Sequence, residues 1–290
     1  MTVPPDTRAF GLRGRTRFRP WRVVAGALVL LAVWEAVALW FAARLDHPEF
    51  VMPDLVAVFR DGLPGLSAYY RGSLGGGTTG AGADESVGLG LLALVENGWV
   101  SLVRVVAGLG LGATAGILLG LVMSALRPLR DAGLGAVNVL RMLPLLALAP
   151  LFTLWFGANS AASIAFIAFV VALTMLIAAM TAVGNLDPDL VGYARTLGVR
   201  GARVHLRVVL PAIVPELAAT LTVCGPLAWS VLLASELYGM QEGLGWMMGE
   251  ALDFTLVSRI TLIAGVFIVL TVATLRAMQL AVRAATRWAE

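Results

Sequence analysis

Lysine is absent from this chain; all 21 of its basic residues are arginine. A nucleotide-binding P-loop needs the lysine of G-x-x-x-x-G-K-[ST] to reach the phosphates, so the chain does not hydrolyse ATP by that route. Cysteine is almost absent too. Cys224 stands alone, which excludes an intrachain disulfide framework, and together with His47 and His205 it makes no cluster at metal-ligand spacing. Charge of either sign is scarce at 13% of residues, whereas soluble domains carry about a quarter. The formal net charge of +3 is too small to point to nucleic acid. No nucleophile–base set stands out either, so an enzyme reading finds no support.

What fills the space is apolar sequence. Hydrophobic residues make up 59% of the chain and the mean hydropathy is +0.87. Several runs reach the length of roughly 20 residues that crosses a hydrocarbon core. Arg8, Arg13, Arg15, Arg17, Arg19 and Arg22 precede the run Val23 to Phe41, which Trp21, Trp34 and Trp40 flank or punctuate. That run is longer than the apolar core of a signal peptide, about 7–15 residues, and reads as an uncleaved first span. Further spans are expected at Leu102–Leu126, Leu134–Phe156, Ala161–Val183, Ile213–Leu237 and Ile260–Leu280. Arg127, Arg130, the Arg195–Arg207 cluster, Arg283 and Arg287 fall after alternate spans, and acidic residues such as Asp46, Asp54, Glu242 and Glu250 fall in the other loops. The alternation fits an all-α polytopic membrane protein with six transmembrane helices and both termini in the cytoplasm.

The resulting plan is a basic cytoplasmic N-terminus (1–22), a first transmembrane helix (23–43), an external segment (44–98), a core of five helices (99–282) with a cytoplasmic loop (187–211), and a cytoplasmic C-terminus (283–290). In the external segment, Met52 to Gly62 reads as a short surface helix. Gly72 to Gly88 has the composition of a flexible loop; contact with an outside partner is the other reading. Gly108, Gly112, Gly116 and Gly120 recur every fourth residue and line one helix face, where another backbone can approach closely. That neighbour is expected within the same chain, with a dimer contact as the alternative.

The stretch "GYARTLGVRGARVHLRVVLP", Gly192 to Pro211, has its own turn chemistry. Asp187-Pro188-Asp189 is a helix-start signal, with acids at the positive end of the dipole. A helix from about Asp189 to Leu197 would stop at Gly198, which tolerates a left-handed backbone. A second short helix, Arg200 to Val208, would place Arg203 and Arg207 on one side, and Pro211 fits the first turn of the next span. Positive-inside topology explains the charge but not this spacing. A projecting element at a membrane face suits a soluble partner, and since the chain has no P-loop, an ATPase would have to be that partner.

The stretch resembles the E-A-A-x-x-x-G-x(9)-I-x-L-P signature of the permease subunits of bacterial ABC importers. Ala194 falls on the second alanine, Gly198 on the glycine, Val208 on the isoleucine, and Leu210 and Pro211 on the closing pair; Gly192 replaces the glutamate and Tyr193 the first alanine. "RMLPLLALAPLFTLWFGANS", Arg141 to Ser160, and "EGLGWMM", Glu242 to Met248, are similar to further motifs of the sulfonate/nitrate/taurine-type permeases, in the same order. The resemblance implies a type I ABC importer permease-like fold that works as a homodimer. An ABC ATP-binding subunit would bind ATP-Mg, this chain holding no cofactor, and an extracytoplasmic substrate-binding protein would deliver a small, anionic nutrient. It assigns the coupling role to Tyr193, Ala194, Arg195, Gly198, Arg200, Arg203, Arg207, Leu210 and Pro211. Gly198→Trp is expected to block transport without blocking insertion.

Ionisable groups and prolines in the spans form a second set of candidates. Arg141, Pro144, Pro150, Trp155 and Glu236 are assigned to the gate or path, because proline-broken helices are tolerated where they line a cavity. Snorkelling of Arg141 and an interfacial position for Glu236 are the alternatives. Arg104 and Arg276 are expected to snorkel, Glu216 to favour its helix dipole, and Glu35 has no partner legible in the sequence. A self-sufficient secondary transporter or channel, and a scaffold binding anionic lipid through the basic loop, are the rival functions.

Overall fold

A computed structural model describes residues 20–72, 85–126, 128, 133, 135, 137, 139–140, 142–199 and 201–286. Among them the regular structure is helical throughout. The residues up to Leu55 form one compact unit and Val56 onward a second. In the first, α1 runs Pro20–Ala42 with most of its apolar side chains uncovered. The Trp34 indole N–H donates to the Pro53 carbonyl at 3.1 Å, and Glu35, partnerless in the sequence reading, accepts the Leu55 backbone N–H at 3.0 Å.

The second unit is a bundle. Its first long helix, α2, spans Val87–Ala125 and starts fifteen residues before the expected Leu102. The helix runs unbroken through Glu96, Asn97 and Gly98, although Asn-Gly is a common turn pair. Asn97 is buried, donating from its amide to the Ala93 carbonyl at 3.0 Å. Helical turns at Leu63–Gly65 and Leu66–Tyr69 pack against α2, with Gly90 allowing the Leu63 carbonyl close to the backbone, while the turn Val58–Gly62 lies with Gly62 against the Ser258 backbone.

After α2 the chain reaches α3, Leu145–Phe156, which begins at Pro144 and ends at Gly157 with φ +80°. The expected span Leu134–Phe156 is thus represented by a helix of 12 residues, and Arg141 lies outside the described residues. Asn159 caps α4, Ser160–Gly184, by accepting the Ala162 N–H at 3.0 Å. The short α5 is Pro188–Thr196, and α6, Leu210–Leu237, carries Pro215 and Pro226 inside it. Then come α7, Leu244–Asp253, and α8, Val257–Ala285.

Five of these helices, α1, α2, α4, α6 and α8, are long and apolar enough to cross a bilayer. The sixth crossing of the expected count rests on the sequence pattern alone. Helices α2 and α4 lie parallel, because successive glycines meet successive turns of the partner. A Cβ added at Gly108 would stand 2.5 Å from Ile167, at Gly112 2.6 Å from the Ala168 carbonyl, at Gly116 2.4 Å from the Ala172 carbonyl and at Gly120 2.6 Å from Ala179. The stripe therefore faces a helix of the same chain. Helix α8 runs antiparallel to α6, with Gly225 against Met278 and Trp229 edge-on to Phe267 at 5.8 Å. Outward faces remain apolar, as at Leu111 and Leu118 on α2 and Ile268 and Val269 on α8, a surface that water does not tolerate but lipid does.

Candidate functional site

Two places in the bundle gather polar chemistry, one at each end of α6. At its beginning lies the element singled out by its turn residues. The Asp187 carboxylate accepts the Asp189 N–H at 2.9 Å and starts α5. The helix is closed by Leu197 N–H donating to the Tyr193 carbonyl at 3.1 Å and Val199 N–H to the Ala194 carbonyl at 3.0 Å, around Gly198 at φ +86°. That six-to-one bond over a left-handed glycine is a Schellman closure, and a side chain at Gly198 would be strained.

α5 turns Ala194 inward and its larger apolar groups outward, with Tyr193 70% and Leu197 84% exposed. Arg195 is on the same helix, and Arg200 lies outside the described residues. The second helix differs from the expected Arg200–Val208. Ala202–Val204 is α-helical, His205–Val209 forms a π-helical turn, and the chain continues without a break into α6. Pro211 follows directly on the π turn, whose wider pattern closes with the Leu210 N–H on the His205 carbonyl, and no stop separates loop from span. Val204 and Val209 anchor the stretch in the core while Arg203, Leu206 and Arg207 are exposed.

At the other end of α6 the sequence reading needs correcting. Arg104 does not snorkel, and Glu236 is not interfacial: each is 1% exposed. Arg104 Nη1 meets Glu236 Oε1 at 2.7 Å and donates to the Glu242 carbonyl at 3.0 Å; Nη2 reaches Glu242 Oε1 at 2.5 Å and Ser160 Oγ at 2.9 Å; Nε completes the set on Ser160 Oγ at 3.1 Å. All the guanidinium donors are used. Glu236 in turn accepts from Ser101 Oγ at 2.9 Å and from the Gly245 N–H at 2.8 Å. Asn97 Oδ1 accepts the Gly243 N–H at 2.8 Å, and Ser101 Oγ the Leu244 N–H at 2.9 Å. Charges this deep persist only with such complete pairing.

The Gly-Leu-Gly of Gly243 to Gly245 belongs to this cluster. A Cβ at Gly243, whose φ is +105°, would fall 2.4 Å from Glu236 Oε1, and one at Gly245 would fall 2.6 Å from Glu236 Cβ. The motif is thus the backbone cradle of a buried carboxylate. Arg71 clamps the same turn from outside: its guanidinium donates to the Gln241 carbonyl and lies 4.9 Å from the Trp246 ring centre. Beside it Tyr69 meets Trp246 edge-on at 5.6 Å, and burial pushes the Tyr69 phenol above its ordinary range. Ser101, Ser160 and Asn97 went unread in the sequence, where single polar residues at span ends look interfacial, and Glu242 was read only as a loop acid at the head of its motif. The Glu236-to-Glu242 spacing opposite an in-span arginine was the available signal.

The described residues of the gate or path set are not drawn together. Pro144 and Pro150 are exposed on α3, as is Trp155, whose neighbours Leu154 and Phe156 are uncovered as well. The inner side of α3 packs through Phe152 on Phe166 at 4.8 Å. Glu236 is sealed inside the ion cluster and lines no open surface.

Residues 112–287 match the family described as binding-protein-dependent transport system inner membrane component. A probable ABC transporter permease protein of Brucella abortus is 32% identical over 203 residues, 68% of this chain and 79% of that protein. The taurine transport system permease protein TauC of Escherichia coli is 28% identical over 187 residues, 64% of this chain and 66% of its own length. Among solved structures, an inward-facing form of the MetNI methionine ABC transporter aligns at a TM-score of 0.55 and 18% identity, over 66% of this chain and 95% of that one. An amino acid ABC transporter solved with histidines aligns at 0.51 and 18% identity, over 63% and 89%. At that identity the two structures speak for the fold.

Proposed function

The chain belongs to the family of binding-protein-dependent transport system inner membrane components, and from that premise we propose that it forms the translocation path of an ATP-driven importer as a homodimer. The Asp187–Pro211 element docks on a separate ATP-binding subunit, which hydrolyses ATP while this chain contributes no catalysis. A binding protein on the other side of the membrane delivers the substrate. The termini and the Arg-rich loops face the cytoplasm, following the arginine bias. The substrate is a small organic or inorganic anion of the sulfonate, nitrate or taurine kind; relatives named for taurine and aliphatic sulfonate transport support that class.

One observation carries the coupling role. The Schellman closure at Gly198 fixes the end of α5, and the helical turns from Ala202 run without a break into α6, which supports the passing of a push on the loop into a membrane span. Of the gate or path set, Pro144, Pro150 and Trp155 keep that role at α3, and Arg141 precedes them in sequence, whereas burial of Glu236 favours a structural part for that residue.

The test is recovery and uptake together. The tagged chain, extracted in mild detergent, should carry an ATP-binding subunit at one copy per permease, and in vesicles loaded with ATP and the external binding protein it should import the anion. Gly198→Trp should insert normally and import nothing. Full uptake by that variant would overturn the coupling role, and uptake without any ATP-binding subunit would establish a self-sufficient transporter instead.

A further inference from the structure

Helix α2 is longer than a bilayer crossing needs. Its 39 residues reach about 58 Å at 1.5 Å per residue, against a hydrocarbon core of about 30 Å. The excess lies before Leu102, where the expected span begins, so its turns around Glu96 and Trp99 stand clear of that span, on the side away from the Arg-rich loop. There Arg71, Glu96, Trp99 and Glu242, with Val95 and Val100, line a cleft of about 400 Å³. That volume is within the range of about 300–1,000 Å³ of small-molecule sites. Trp99 is 65% exposed, so its ring is open to a ligand.

The cleft carries charge of both signs. Arg71 is held in place: Nη2 donates to the Gln241 carbonyl, the guanidinium lies 4.9 Å from the Trp246 ring centre, and the backbone N–H donates to Glu96 Oε2 at 3.1 Å. Nη1 has no acceptor within hydrogen-bond distance among the described residues; Glu242 Oε2, its ion-pair neighbour, is 4.0 Å away. Glu242 commits Oε1 to Arg104 and Ser160 and leaves Oε2 toward Arg71. Both side chains stay open to solvent, at 42% and 41% exposure. A charged donor and a charged acceptor thus face each other across a gap too wide for a direct hydrogen bond.

We propose that this cleft binds a small zwitterion, whose acidic group takes Arg71 Nη1 and whose ammonium lies among Glu242, Glu96 and the Trp99 ring, with a short carbon chain between the two charges. The lining selects for it. A simple anion would meet two carboxylates for one arginine, and a simple cation would meet the fixed guanidinium of Arg71. A molecule with both charges pairs with all three groups, and the indole face adds a cation–π contact. The site stands on the permease chain alone and does not need the importer reading.

The experiment is calorimetry on the full chain in nanodiscs at neutral pH, with three matched probes: β-alanine, propionate, which lacks the amine, and ethylammonium, which lacks the acid. β-Alanine should bind with a Kd of about 1 mM or tighter, and the other two at least about tenfold more weakly. Arg71→Gln should invert the order, ethylammonium then binding at least as tightly as β-alanine. Glu96→Gln keeps an acceptor for the Arg71 N–H and should narrow the gap between propionate and β-alanine by about threefold. Trp99→Leu should weaken β-alanine by about two- to fivefold and leave propionate unchanged.

Equal binding of propionate and β-alanine to the wild type, or no saturable binding of β-alanine below about 10 mM, would overturn the proposal. So would a folded Arg71→Gln chain with the wild-type order of preference; if that variant does not fold, the Glu96→Gln comparison decides in its place. The source of the zwitterion is separated in ATP-loaded vesicles holding the complete importer. Entry of labelled β-alanine makes the bound solute cargo, and its exclusion makes it an outside ligand of the permease; the site stands in both cases. Because the binding assay omits the ATP-binding subunit, its failure leaves the importer reading intact, and failure to recover that subunit leaves the site intact.

Discussion

At one end of α6, Arg104 spends all its donors inside the chain; at the other, Arg203 and Arg207 spend none on the described residues. The residue type is the same and the settings are opposite. Where water is excluded, an arginine is stable only if every N–H finds an acceptor, so the middle of α2, the start of α4, the end of α6 and the turn after α6 are bound into one cluster. Where water reaches, an unpaired arginine costs nothing, and it stays available to something outside the chain. An in-span arginine therefore marks structure here, and a loop arginine marks a contact still to be made.

The largest effect that can test this contrast is at the closed end. Arg104→Ala should cost about 3–5 kcal/mol, because Glu236 is left buried without its counter-charge. The readout is thermal unfolding in detergent, and Arg104→Met with Glu236→Leu should recover more than half of the loss. A double variant as unstable as the single one would mean that packing, not charge, sets the cost. Next comes the glycine stripe between the two ends. Gly116→Leu should destabilise by about 1–3 kcal/mol through overpacking on the Ala172 turn. A neutral result there would leave the ion cluster as the main tie between α2 and α4.

At the open end the effects on stability shrink. Gly198→Ala should cost about 1–2 kcal/mol of left-handed strain, confined to the loop. Hydrogen exchange should quicken around Thr196 to Val199 while protection in α4 and α6 is kept. Smallest of all, Arg203→Ala or Arg207→Ala should shift unfolding by no more than about 0.5 kcal/mol. Raising salt should weaken subunit docking and leave the unfolding temperature in place, since exposed charges are screened and buried ones are not. A large stability loss on removing either loop arginine would erase the distinction between the two ends.

Spans and the coupling turn were legible because their signals are local. Apolar runs located α1, α4, α6 and α8 with ends within five residues, and Gly198 announced a left-handed closure without any tertiary information. Other features depend on neighbours distant in sequence. The early start of α2 hid behind Glu96 and Asn97, which are polar yet lie within a helix. Arg104 looked like a snorkelling side chain because its partners, Glu236 and Glu242, come more than 130 residues later. The second loop helix was expected to end before Pro211, but proline in a first turn does not end a helix, and loop and span run on as one.

That continuity has a mechanical consequence. From His205 to Leu237 the backbone is one rod of 33 residues, about 50 Å at 1.5 Å per residue. The arginine-bearing turn is its handle and the Glu236 carboxylate its tip, so torque applied at one membrane face arrives at the other without passing through a hinge of loop. The compliance of that rod is concentrated where its hydrogen-bond ladder is irregular, at the π turn of His205–Val209 and at Pro215 and Pro226.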